Sequence, residues 1–333
     1  MKVCVIGAGS WGTAIAHLLG TKKNSVSLWA RSEETAQSIN TNHVNPRYLS
    51  SAHLSNNILA SSSFELSLKG CEAIIVVTPS AALRETARSI APYIASNIPL
   101  VICSKGAEEG TGLLPVDIFA QELGNIERMA VLSGPNHAEE VIQGIPSGTV
   151  VASASTETAL FFQDLFASDA FRVYTSSDVK GVELCAASKN VVAISCGISY
   201  GLGFGDNTAA TLMTRGLAEM GRLVESAGGS KITCMGLAGM GDLVVTCSSK
   251  HSRNRRLGEM LAEGKTLEDF NHETNMVAEG ALACKTLKPL AVQGGVDMPI
   301  LDAVRSILWE GADVTATVQA LLHRPLRQEF KWE

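Results

Sequence analysis

The chain has 333 residues, enough for two domains with cores of their own. Its 27 Lys and Arg against 33 Asp and Glu leave a net charge of −6, which excludes nucleic acid as a general partner and electrostatic docking on an anionic membrane. No window offers about 18 uncharged apolar residues, so no membrane insertion is expected, and eight scattered cysteines without metal-ligand spacing read as core thiols in a reducing, cytoplasmic compartment.

Lys2 to Ile6 reads as a buried parallel strand, and Gly7-Ala8-Gly9-Ser10-Trp11-Gly12 follows it directly as G-x-G-x-x-G. Thr13 to Gly20 has helical apolar spacing, residues 21–24 turn the chain, and Ser25 to Ala30 reads as a second strand. This is the βαβ context that a dinucleotide fingerprint requires. Gly7 allows the tight turn, Gly9 lets backbone N–H groups approach a pyrophosphate, and Gly12 lets helix and strand pack closely. The competing reading is a glycine-rich turn without a ligand. No signal peptide is expected, because three glycines interrupt the apolar stretch and no small-residue cleavage site follows.

An NAD-selective site places Asp or Glu at the end of the second strand, whereas this chain has Ala30-Arg31-Ser32. A guanidinium suits a 2′-phosphate, so NADP is preferred and NAD remains possible. The alternative is that Arg31 stacks on adenine without discriminating. Further strands are expected at 73–78, 100–104, 130–133, 149–152 and 171–174, with helices over 80–94, 113–123 and 156–167. Residues 61–63 read as a polar loop. The fold class is α/β, a Rossmann-type doubly wound parallel sheet over residues 1–178, followed by an all-α domain over 179–333.

Ligands in such sheets sit beyond the carboxyl ends of the strands. Thr78-Pro79-Ser80, Ser104-Lys105-Gly106 and Ser133 to His137 occupy those ends, which sets Lys105 at the mouth of the cofactor cleft rather than on a solvated face. In the second half, Glu183 to Gly203 is an apolar helical run holding one cation, Lys189, with no anionic neighbour at helical spacing. Lys189 either snorkels to water or meets a carboxylate from elsewhere, and partial burial then lowers its pKa toward neutrality. Asp242, after the glycine-rich loop 236–241, is either that partner or a capping aspartate. Ser252-Arg253-Asn254-Arg255-Arg256 suits a small phosphate or forms a solvated basic face. Arg215 and Glu219 read as an i,i+4 surface bridge.

Taken together, GAGSWGTA at the N-terminus, SKG at 104–106, GPNHAEEV at 134–141, ASKN at 187–190, GDNTAATLMTRGLAEM at 205–220, GLAGMGDLVVTC at 236–247, SRNRRLG at 252–258 and VAEG at 277–280 resemble the NAD(P)-dependent glycerol-3-phosphate dehydrogenases of the bacterial type. The resemblance runs to about residue 326. It implies a 6-phosphogluconate-dehydrogenase-like helical domain, a cytoplasmic homodimer, and reversible conversion of dihydroxyacetone phosphate to sn-glycerol 3-phosphate for phospholipid synthesis.

Carried to this sequence, the resemblance implies that Ser10, Trp11, Arg31, Tyr48, Lys105, Ala138, Arg253, Val277 and Glu279 hold the cofactor together with Gly7, Gly9 and Gly12. Lys105, Gly134, Asn136, Lys189, Asp242, Ser252, Arg253 and Asn254 contact the substrate. Lys189 matches the proton donor and acceptor, with Asp242 and Lys105 beside it. Asn136 departs from the family's usual Ser or Thr, and Ala209 stands where lysine is frequent. The competing readings are another two-domain NADP-dependent reductase of hydroxy or sugar acids, and a non-catalytic dinucleotide sensor.

Overall fold

A computed structural model of the chain describes residues 1–274, 278–325 and 328–329. The apolar runs of the first half become β1 (Lys2–Ile6), β2 (Ser25–Trp29), β3 (Ile58–Ser61), β4 (Ala73–Val76), β5 (Leu100–Ile102), β6 (Met129–Ser133), β7 (Ser147–Ala152) and β8 (Phe171–Ser176). These form one sheet in the order β3-β2-β1-β4-β5-β6-β7-β8. The connecting helices are α1 (Ser10–Thr21), α2 (Glu33–Asn42), α3 (Phe64–Leu68), α4 (Leu83–Ile90), α5 (Pro115–Leu123), α6 (Ala138–Val141) and α7 (Thr156–Phe166). Every residue of β4 and β6 is buried, as expected of strands covered on both faces. The chain builds outward from β1 to β3, then resumes at β4 on the other side of β1. That reversal opens a crevice beyond the carboxyl ends of β1 and β4, where ligands bind in doubly wound sheets.

The sheet is not wholly parallel: β7 runs antiparallel to β6, with Val131 opposite Ala152 and Ser133 opposite Val150. Only the single turn of α6 lies between them, too little helix to carry the chain over one face as a parallel crossover requires. The longer α7 then returns the chain to β8, parallel to β7. The edge strand β3 is an addition to the expected set. It has four residues, exposes Leu59, and takes in Ser61 from the expected polar loop, while Ser63 caps α3. The helix expected over 80–94 divides into a 3₁₀ turn at Ser80–Ala82, α4, and a second turn at Ala91–Tyr93, where Pro92 supplies no N–H to continue the ladder.

Among the described residues the last strand ends at Ser176, and the elements beyond it are helical: α8 (Val179–Gly201), α9 (Asp206–Ser226), α10 (Asp242–Ser248), α11 (Arg253–Ala262), α12 (Leu267–Thr274), α13 (Glu279–Gln293), α14 (Pro299–Trp309) and α15 (Val314–Leu322). Among the described residues, α8 alone is long and apolar enough to cross a membrane, and the fold buries it. Glycine lets α8 and α11 cross closely. A Cβ on Gly197 would stand 2.0 Å from the Arg255 carbonyl oxygen, and one on Gly258 2.1 Å from that of Ile194. All eight cysteines are buried and free.

Two expectations for this half are corrected. The segment expected as a glycine loop is wound into a π-helical turn, Leu237–Gly241, that runs directly into α10. Glu219 makes no surface bridge to Arg215: it is buried and accepts the Ile300 and Leu301 backbone N–H groups at 2.9 and 3.4 Å, capping α14. Unsatisfied N–H groups at a buried helix start draw a carboxylate inward more strongly than an exposed guanidinium holds it out.

Candidate active site

Gly7 leaves β1 at φ +117°, a conformation open to glycine, and a Cβ there would press within 2.7 Å of the Val77 carbonyl oxygen. At Gly12 an added Cβ would stand 1.8 Å from the Gly7 carbonyl oxygen, so close packing of α1 on β1 requires glycine. Gly9 differs. Its φ of −75° suits any residue, and an added Cβ would meet nothing within 4 Å. Nothing among the described residues demands glycine there. The open space lies at the N-terminus of α1, the electropositive end of a helix, which suits an anion.

This loop is pinned from outside by Asn45, which sequence reasoning did not single out. The buried Asn45 amide donates to the Ala8 carbonyl oxygen at 2.9 Å and to Thr13 Oγ1 at 2.8 Å. Its Oδ1 accepts the N–H groups of Arg47 and Tyr48, which holds Tyr48 half-buried beside the cradle. Ser10 and Trp11 open α1, and the exposed Arg31 follows β2 immediately before Ser32, the cap of α2. Ala138 is buried at the start of α6, which packs on α1. Val277 lies outside the described residues. Glu279 opens α13 and accepts Ser80 N–H at 3.3 Å and Ser80 Oγ–H at 2.5 Å.

Across the cleft, three charged side chains from distant segments converge. Lys189 Nζ donates to Asp242 Oδ1 at 2.9 Å and to Thr246 Oγ1 at 2.7 Å. Lys105 Nζ, from the end of β5, donates to Asp242 Oδ2 at 2.6 Å. The Lys189 alternative of snorkelling to water is therefore not taken: the side chain is buried. Winding residues 237–241 into the start of α10 is what points Asp242 at α8. The same winding sets Thr246 one turn on, at the i,i+4 spacing that sequence could have flagged.

The electrostatics follow from the packing. Burial pulls the Lys189 ammonium down to about 8, although Asp242 works against the fall and Lys105 adds to it. For Asp242, burial alone would raise the carboxyl, but Lys105 and Lys189 outweigh it and hold the group below its ordinary value. Asp242 is thus an anion between two cations. A lysine poised near neutrality can give or take a proton, and two of its three N–H groups are already committed.

The remaining expected residues surround this trio. The Gly134 carbonyl oxygen lies 3.5 Å from Lys105 Nζ, and the tight packing of Gly134 on β7 leaves no room for a side chain. Asn136 donates Nδ2–H to the Gly148 carbonyl oxygen at 3.0 Å, while its buried Oδ1 has no partner among the described residues. Ser133 Oγ lies 3.5 Å from Asp242 Oδ2, and His137 stands close enough to Lys189 for its positive charge, after burial, to hold the imidazole below its ordinary pKa. Sequence assigned no role to either.

The basic segment 252–256 separates into different tasks. Ser252 caps α11 through the Arg255 N–H at 3.2 Å. Asn254 is buried, accepting Gly280 N–H at 2.9 Å and donating to Asn190 Oδ1 at 3.0 Å. Arg255 covers the Tyr200 ring and pairs with Glu259 at 2.8 Å. Arg253 stays exposed at the first position of α11, a guanidinium beside a helix N-terminus.

Comparison with known proteins adds a second line of support. The family model for the NAD-dependent glycerol-3-phosphate dehydrogenase N-terminus matches residues 2–159, and that for the C-terminus matches residues 178–319. A glycerol-3-phosphate dehydrogenase (NAD(P)+) of Clostridium perfringens is 42% identical over 98% of this chain and 99% of its own length. The Syntrophomonas wolfei protein of the same name is 43% identical over 99% and 97%. The crystal structure of glycerol-3-phosphate dehydrogenase from Coxiella burnetii superposes with a TM-score of 0.93 at 38% identity, covering 97% of this chain and 99% of that one. The chain belongs to the NAD-dependent glycerol-3-phosphate dehydrogenase family.

Proposed function

We propose that this chain interconverts dihydroxyacetone phosphate and sn-glycerol 3-phosphate, using NADPH in preference to NADH. The observation that carries the reading is the buried Lys189, held by Asp242 and Thr246 with one N–H uncommitted among the described residues, and joined through Asp242 to Lys105 beyond β5. Residues 1–178 hold the dinucleotide and residues 179–333 supply the proton donor. Gly9, Ser10 and Trp11 offer backbone to the pyrophosphate, Arg31 faces the 2′-phosphate, and Tyr48, Ala138, Arg253, Val277 and Glu279 complete the cofactor site. When bound, the nicotinamide supplies a hydride to the substrate's carbonyl carbon.

Lys189 gives a proton to the carbonyl oxygen as charge builds there. A positioned acid contributes roughly 10² to 10⁴-fold. Lys105 adds positive charge beside the developing alkoxide, and Asp242 keeps both ammonium groups in place by binding one through each carboxylate oxygen. Asn136 belongs to the substrate site on the family resemblance, its amide held by the Gly148 carbonyl oxygen. The exposed Arg253, with the N-terminus of α11, takes the phosphate, while Ser252 and Asn254 fix that helix end rather than reaching outward. The homodimer implied by the family resemblance belongs to the same proposal, and sedimentation of the pure protein tests it.

NADPH oxidation with dihydroxyacetone phosphate and with 2-keto acids tests the substrate. Turnover confined to the phosphorylated ketone is expected, and preference for a keto acid would overturn the reading in favour of a hydroxy-acid reductase. NADPH binding without turnover of either would make the protein a sensor.

A further inference from the structure

We infer that Ser80 is a positioning residue of the cofactor site: its hydroxyl and backbone N–H hold the Glu279 carboxylate across the domain boundary, so that the carboxylate's remaining lone pairs face the amide end of the nicotinamide. The inference deepens the proposed function and rests on Glu279 belonging to the cofactor site.

Three segments meet at this point. Ser80 follows β4 in Thr78-Pro79-Ser80, on one side of the crevice between β1 and β4. It is buried and directs both of its donors at one acceptor, N–H to Oε1 at 3.3 Å and Oγ–H to Oε2 at 2.5 Å. Glu279 is the first residue of α13, in the helical half of the chain. The third segment is the loop after β5, where Gly106 at φ +150° follows Lys105. A Cβ on Gly106 would stand 2.8 Å from Ser80 Cβ and 3.7 Å from Glu279 Oε2. Lys105 in turn reaches Asp242. One serine therefore joins a Rossmann strand end, the loop carrying Lys105, and the helix that closes the cofactor site.

The chemistry gives this contact a purpose beyond stability. A carboxylate has about four acceptor positions, and Ser80 engages two of them. A primary amide, the polar group at the nicotinamide end of the dinucleotide, presents two N–H donors and needs acceptors held in place. An acid fixed by two hydrogen bonds is pre-organised for that donor, whereas a free one loses rotamer entropy on binding. Arg253 lies near enough for its positive charge to act on the Glu279 carboxylate.

The test measures NADPH affinity without turnover, by fluorescence titration of the binary complex, in Ser80→Ala, Glu279→Gln, Glu279→Ala and the double variant Ser80→Ala with Glu279→Ala. Loss of a hydrogen bond to a charged group predicts that Ser80→Ala weakens NADPH about tenfold. The loss in the same variant should appear in KM for NADPH more than in kcat, a split that a general loss of folded protein would not produce. In the Glu279→Ala background, adding Ser80→Ala should change affinity by less than about twofold, because the group it positions is gone. Glu279→Gln, which keeps an acceptor for Ser80 but not the charge, should fall between wild type and Glu279→Ala.

If Glu279→Ala weakens NADPH and Ser80→Ala does not, the positioning role is wrong and the Glu279 assignment survives. If Glu279→Ala leaves NADPH affinity unchanged, both are wrong. Equal losses of affinity from Ser80→Ala with and without Glu279 would show that Ser80 acts independently of Glu279 and would overturn the positioning role.

Discussion

Lys105 and Lys189 approach the two oxygens of one carboxylate, Asp242, from opposite halves of the chain, at 2.6 and 2.9 Å. That geometry makes Asp242 the element joining the loop after β5 to the buried Lys189. Asp242→Asn removes the anion but keeps the shape, leaving two neighbouring cations without a counter-charge. The expected outcome is a fall in kcat of about 10² or more, with the Lys189 limb of the profile moved toward lower pH in both directions of reaction, because the negative charge that sustains the Lys189 proton is lost. A pH–rate profile of the variant checks it.

In the wild type, burial sets the Lys189 ammonium near 8. Reduction needs the protonated form and oxidation the neutral one. The rate of ketone reduction should therefore fall as pH rises through about 8, while glycerol phosphate oxidation should rise through the same range. Profiles in both directions that show no such opposed behaviour would remove Lys189 as the titrating group.

Gly9 and Gly12 separate ligand binding from folding. Gly12→Ala would drive a methyl into the Gly7 carbonyl and should destabilise the N-terminal half by at least the usual overpacking cost of about 1–3 kcal/mol. Gly9→Ala meets open space in an ordinary backbone conformation. Its thermal stability should match wild type while its NADPH affinity falls at least tenfold, as differential scanning and titration would show.

Much of this site was legible in the sequence because its chemistry is local. The strand running into G-x-G-x-x-G, the lone cation in an apolar helix, and an acid after glycines each stand out by spacing. What was not legible depends on where chains cross. Glu219 sits at helical spacing from Arg215, yet an uncapped helix start 81 residues away takes it. Thr246 and Ser133 act only because winding of residues 237–241 aims Asp242 at them. The antiparallel β7 follows from the shortness of α6, and four residues of β3 are too few to show a period.

Glu219 also yields a stability prediction. Burial pushes its carboxyl up to about 7 from an ordinary 4.5, so the native state holds its proton where the unfolded chain has released it. Its contribution is complete below pH 4.5 and is lost as pH rises through about 7, on the order of 3 kcal/mol in all. Glu219→Gln should flatten the decline in Tm between pH 5 and 8, and an unchanged decline would place the pH dependence elsewhere.

Arg31 and Arg253 are expected to act on different ligands. Arg31→Ala should reduce kcat/KM for NADPH at least tenfold while leaving NADH nearly unchanged, since only NADPH carries the 2′-phosphate. Arg253→Ala should raise KM for dihydroxyacetone phosphate by a similar factor or more. Steady-state kinetics with both cofactors decide the two cases, and an unchanged substrate KM would contradict the phosphate assignment.

The central claim is that Lys189, buried against Asp242 and Thr246, transfers the proton. Single-turnover oxidation of enzyme-bound NADPH by dihydroxyacetone phosphate in Lys189→Ala measures this most directly, because cofactor affinity can be titrated in the same sample. A loss of roughly 10³-fold or more in the chemical step, with NADPH affinity within a few-fold of wild type, is the predicted result. A single-turnover rate near wild type would contradict it.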